Sequence, residues 1–182
     1  MACSSLVALP RACGASGIVA GTDKLYMIAF SDLSPLVGSP TGDVYSASTS
    51  GIINVINPAS GKTFVEIGLL RSSSGLAQEM TKDISKGTLY FTKTLTLVLS
   101  DLTIENQTFV DSVLNQPVAV IIKSMTGSYY AAGLNGLFEL ATLTGGSGVA
   151  VGDAMGYSLT FTGIETQGIQ IVDPTIIPAL IS

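Results

Sequence analysis

The chain has 182 residues, enough for one domain with a sizeable core. Apolar residues make up 47% and charged residues only 12%, against roughly 25% charged in an ordinary soluble domain. The surface left by so few charges suits burial against neighbours better than free diffusion. Net charge is −5 with a pI near 4.4, which excludes a module that binds nucleic acid through phosphate attraction. Histidine is absent, which excludes His-based acid–base catalysis, Ser-His-Asp triads and imidazole metal sites.

Residues 1–17 form an Ala- and Ser-rich lead-in with Pro10, Gly14 and Gly17 as breakers, expected as an N-terminal arm. Both cysteines, Cys3 and Cys13, lie in it. Two thiols without further ligands make no zinc site, and a reducing cytoplasm favours them free over a disulfide. No basic n-region precedes an apolar run, so the segment does not read as a secretory signal. No apolar run approaches the roughly 20 residues of a membrane helix. The expectation is a protein made in a cytoplasm, outside any membrane.

Residues 24–30, KLYMIAF, read as a strand between turn signals. Residues 31–62 carry Pro35, Pro40 and Pro58 with four glycines and read as one long loop, with a brief strand near Ile52, Ile53, Val55 and Ile56. Residues 63–70 read as a strand. Residues 76–84 alternate, placing Ala77, Glu79, Thr81 and Asp83 on one face and Leu76, Gln78, Met80 and Lys82 on the other. Glu79 and Asp83 make the first of these a candidate solvent- or lumen-facing surface.

The strand after Gly87 has the clearest period of two. Leu89, Phe91, Leu95, Leu97 and Leu99 share one face with Lys93 as the interruption; Thr88, Tyr90, Thr92, Thr94, Thr96 and Ser100 share the other. A helix at about 102–115 follows, capped by Asp101 or Thr103, with Phe109, Val110, Val113 and Leu114 as its core stripe. Residues 118–122 read as a buried strand, and a turn at 126–128 leads to another at 129–133. Asn135-Gly136 marks a further turn before 137–143. Residues 144–148, TGGSG, read as a flexible loop without the P-loop pattern. Residues 153–163 give a turn and a strand with Leu159 and Phe161 inward. After Ile169, Ile171 and Val172, Asp173-Pro174 and Pro178 are expected to prevent regular structure in a docked C-terminal arm, 173–182.

The Thr/Leu-alternating strand, short helix, Val/Ile strand, YYAAGLNGL hairpin and MGYSLTFTGIE strand (155–165) together resemble the tail tube proteins of long-tailed bacteriophages, over roughly residues 62–165. Contractile-tail and type VI secretion tubes share that pattern. The resemblance implies a mainly β fold in one domain: an antiparallel sandwich or barrel over 18–172, flanked by the one helix. It further implies a structural virion subunit that closes into rings, six copies each, through a continuous inner sheet. The rings stack through a long loop into a tube conducting DNA as cargo, with other tail proteins as partners, in a virion assembled in the host cytoplasm. Residues Ser39, Asp43, Tyr45, Ile52, Ile53 and Val55 are then candidates for the stacking loop, and Glu79 and Asp83 for the lumen. No catalytic residue, cofactor or metal is expected. Alternative readings are a head–tail joining or terminator protein, a capsid decoration protein, or a carbohydrate-binding sandwich using its tyrosines. Assembly symmetry separates the first two from a tube, and sugar binding by the monomer would identify the last.

Overall fold

The structure, a computed structural model, describes residues 21–39, 41–69, 73–147 and 155–181. The predicted N-terminal arm with Cys3 and Cys13 lies outside the described residues. Eleven strands are described: β1 (Thr22–Ala29), β2 (Tyr45–Ala47), β3 (Ile53–Ile56), β4 (Val65–Ile67), β5 (Gly75–Asp83), β6 (Thr88–Ser100), β7 (Val118–Ser124), β8 (Tyr129–Ala132), β9 (Phe138–Gly146), β10 (Gly156–Glu165) and β11 (Gln170–Val172). Two short helices, α1 (Ile104–Val113) and α2 (Ile177–Ile181), join them. The predicted mainly β sandwich with a flanking helix is what forms.

One sheet has seven strands in the order β2-β3-β11-β8-β7-β1-β4; the other has four, β5-β6-β10-β9. Every pair is antiparallel except β3 with β11, whose parallel contact is Ile53 against Val172. Between the sheets lies the main core. Leu95, Leu97 and Leu99 of β6 and Leu159 and Phe161 of β10 meet Leu25 and Met27 of β1 and Val118, Val120 and Ile122 of β7. Phe138 stacks on Phe161 at a ring-centroid distance of 6.2 Å.

The seven-stranded sheet is also covered on its other side. Tyr26 and Ile28 of β1 and Ala119 and Ile121 of β7 face a second cluster with Val44, Ile53, Ile56, Phe64, Ile177 and Leu180. Coverage of both faces explains why β7 begins as an unbroken apolar run instead of alternating. It also corrects the reading of 31–62 as one long loop. That segment adds β2 and β3 to the end of the seven-stranded sheet, beside β11, and its apolar residues Val44, Ile53 and Ile56 join the second cluster, with Ile53 fully buried. The C-terminal arm is regular as well. Asp173 caps a single helical turn by accepting the Thr175 N–H, and Pro174 and Pro178 sit in first turns, where a missing N–H costs nothing.

Between β6 and β7, α1 starts at Thr103, whose hydroxyl accepts the Asn106 N–H at 3.2 Å. Of the two predicted caps, Thr103 is used; Asp101 takes a left-handed backbone, φ 76°. Val110 and Val113 are buried and Phe109 packs partly against the core, but Leu114 is exposed, being at the edge of the stripe and one residue past the helix end. Thr103→Ala should cost about 1 kcal/mol, read as a lower urea midpoint at unchanged slope.

Two turns differ from their sequence reading. Asn135-Gly136 does not close a hairpin: β8 and β9 belong to different sheets, so this turn carries the chain across the sandwich. Thr144, Gly145 and Gly146, read as a flexible loop, extend β9 and pair with Ser158, Tyr157 and Gly156. At Gly145 an added Cβ would lie 2.6 Å from the Tyr157 ring, so a larger residue there would have to displace that ring.

Candidate assembly surface

The outer face of the four-stranded sheet follows from register. Because Leu95, Leu97, Leu159 and Phe161 point inward, the residues alternating with them point out. Thr96 lies opposite Thr160, which lies opposite Thr142; Thr94 lies opposite Thr162, and Val98 opposite Ser158 and then Thr144. On the other side of β6, Ala77, Glu79, Thr81 and Asp83 of β5 face Thr94, Thr92, Tyr90 and Thr88. The result is a threonine lattice across all four strands. Its charged members are three carboxylates, Glu79, Asp83 and Glu139; Lys82 and Lys93 alternate to the inner side. Short β-branched side chains stand upright on a pleated surface and offer hydroxyls to water without long flexible cations.

Both predicted lumen residues belong to this face, though they do different work. Glu79 is exposed mid-strand. Asp83 ends β5 and builds the turn into β6. Its carboxylate accepts the Ser85 hydroxyl at 2.6 Å and the Ser85 and Lys86 N–H groups at 3.0 and 3.3 Å. These bonds, the hydroxyl's first, hold its pKa below the ordinary carboxylate value. Replacing Asp83 therefore disturbs the turn as well as the charge, which the sequence pattern does not reveal.

β5 and β9 are the sheet's edges, each paired on one side only among the described residues. The four strands alternate in direction, so the two edges run oppositely. β6 outlasts its partner β10: their pairing ends at Phe91 against Glu165, and beyond it residues 81–90 stand as a two-stranded hairpin. Ile84 at its tip is 84% exposed, and Met80 and Leu89 on its inner side are exposed too.

Beneath the lattice sits a feature the sequence marked only as an anomaly. Lys93, the misfit on the leucine face, is fully buried, and its Nζ lies 2.5 Å from Glu165 Oε2. The other carboxylate oxygen, Oε1, accepts the Gly133 N–H at 2.7 Å. The pair ties the four-stranded sheet to the turn that crosses the sandwich. Its partner was findable: Glu165 continues the inward series Leu159, Phe161, Gly163 on the neighbouring strand.

The residues proposed for stacking do not converge on one spot. Ser39 and Asp43 brace a turn, with the Asp43 N–H donated to Ser39 Oγ at 3.0 Å. Tyr45 packs partly into the second core, Ile52 is half-buried, Val55 is exposed, and Ile53 is core and unavailable to any partner. Asp43 and Tyr45 line a polar cleft of about 240 Å³ with Asn135 and Gln167. Among the described residues no three His, Cys, Asp or Glu side chains gather as a metal site, and no helix is long and apolar enough to cross a membrane.

Fold and surface define a two-sheet sandwich with one sheet doubly covered and the other presenting a hydroxylated, acidic face between two open edges. The chain matches no protein-family model, no curated protein and no solved structure.

Proposed function

We propose that the protein is a structural subunit that closes into rings through its four-stranded sheet and builds a phage-type tail tube around DNA. The single observation that carries this reading is the pair of open edges running in opposite directions. In a ring all copies keep one orientation. An even, alternating sheet then brings β9 of one copy beside β5 of the next in the antiparallel sense, and closure removes every edge. A heterologous contact of this kind makes a ring when its rotation closes. The six-fold number is what the tail-tube resemblance implies.

The lattice suits the inside of such a barrel. Glu79 and Glu139 face the passing phosphates from within their strands, while Asp83 at the turn is paired with Lys86 at 3.6 Å; salt would screen the repulsion from the two glutamates only beyond about 8–10 Å. Electron microscopy of purified protein at high concentration tests the reading. Rings or tubes are expected, and a chain that stays monomeric under every condition overturns it. Glu79→Lys with Glu139→Lys should leave the rings intact, since both side chains stand on the outer face while the edge strands would pair through their backbone groups, yet make them retain short duplex DNA at low salt. A variant that passes DNA through a gel as freely as the parent would move these residues out of the lumen.

A further inference from the structure

A cleft lies between α1 and the edge strand β4, lined by Met27, Val65, Ile67, Phe109, Ser112 and Val113 among others, with a volume of about 160 Å³. An apolar cavity near 150 Å³ accommodates a benzene-sized group, so this one has room for a single branched aliphatic side chain. The cleft stands at the end of the molecule where β6 finishes: the Asn106 side chain of α1 donates to the Ser100 carbonyl at 2.9 Å. The hairpin tip stands at the opposite end of the same strand. β6 has 13 residues, about 40 Å at roughly 3.3 Å per residue. The molecule thus carries an apolar knob, Ile84, at one end of its longest strand and an apolar hole at the other.

We infer that Ile84 of one copy seats in the α1–β4 cleft of the next, so that copies join head to tail along β6. Charge agrees with this occupant. Asp32 in the lining is already bridged by Lys62 at 3.2 Å, and the negative charge beside the cleft comes from α1, which carries Glu105 and Asp111 with no cation. The hairpin brings Lys82, Asp83 and Lys86 beside its apolar tip, with Lys86 and Asp83 paired at 3.6 Å, which leaves one positive charge in excess. A two-stranded hairpin alone is marginally stable in water, and seating its tip would order it. Knob and hole are different surfaces, so the contact is heterologous and propagates. This inference rests on the tube reading and names its axial contact, replacing the 31–62 segment with the 81–90 hairpin.

The test is disulfide trapping in a Cys3→Ser/Cys13→Ser background carrying Ile84→Cys and Ser112→Cys, the latter at the mouth of the cleft. Under mild oxidation it should give a ladder of dimers, trimers and longer species. The control pair Thr94→Cys with Ser112→Cys should not. Ile84→Asp in the parent chain should shorten tubes to single rings without unfolding the subunit. Assemblies that form but give no ladder, or tubes of normal length with Ile84→Asp, overturn the axial contact alone. A ladder without closed rings supports it and counts against the tube. A chain that neither assembles nor cross-links overturns both.

Discussion

Lys93→Met is expected to lower stability by about 3–5 kcal/mol, the usual cost of removing one partner from a buried ion pair. The size comes from what is left behind. Glu165 stays 7% exposed with one oxygen on the Gly133 N–H and the other without its cation, and an unpaired carboxylate in that setting costs several kcal/mol. Adding Glu165→Gln should recover more than half of the loss. The amide oxygen can keep the Gly133 bond while the charge disappears. Urea unfolding of the two single variants and the double gives the coupling directly. Additive losses would mean that the pair does not interact and that the packing around Lys93 alone sets its cost.

What the ion pair contributes is placement more than net stability, since a well-packed apolar replacement of both partners is often neutral. Lys93 and Glu165 are diagonal neighbours on β6 and β10, and a one-residue slip of either strand would turn one of them to the threonine face. The threonine lattice and the open edges depend on that register.

The sequence shows the long strands best, because their signal is local. A period of two over β6 and β10 sets which residues face in and which face out, and the Thr face follows with no reference to the rest of the chain. The helix was legible for the same reason, through Thr103, Val110 and Val113. What did not show is what depends on partners far along the chain. Residues 31–62 look irregular because β2 and β3 are three and four residues long, and their pattern has meaning only once β11 is there to pair with β3 and the second cluster is there to take up Val44, Ile53 and Ile56. The two prolines near the C-terminus were read as breakers, yet each sits where a helix tolerates it. Asn135-Gly136 signals a turn correctly, but the dipeptide carries no information about which sheet the next strand joins. Of the candidate site, the carboxylates on β5 and their face were visible; Glu139 was not singled out, because β9 joins that face only through its pairing with β10.

The turn that crosses the sandwich gives the second large effect. Gly133→Ala should cost more than about 4 kcal/mol, beyond the range of ordinary substitutions, whereas Gly127→Ala should cost about 1–2 kcal/mol, the left-handed penalty alone. Both glycines have positive φ, 82° and 87°, so backbone conformation does not separate them; surroundings do. At Gly127 an added Cβ meets nothing within 4 Å. At Gly133 it would lie 2.3 Å from the Val118 carbonyl oxygen and 2.8 Å from Phe138 Cβ, both fixed in the core. Relief would require the turn to retreat, and that withdraws the Gly133 N–H from Glu165 and loosens the Lys93 pair with it. Gly136→Ala should fall between them: its new Cβ meets the Phe30 ring at 2.8–3.1 Å, a half-buried side chain that can swing aside. Thermal melts of the three variants should therefore rank Gly127→Ala above Gly136→Ala above Gly133→Ala. With roughly 2–4 °C per kcal/mol expected at this chain length, the outer two should differ by several degrees at least. A Gly133→Ala melt as high as that of Gly127→Ala would show that the crossing turn is not clamped between β7 and Phe138, and would remove the reason for expecting Glu165 to be held in place.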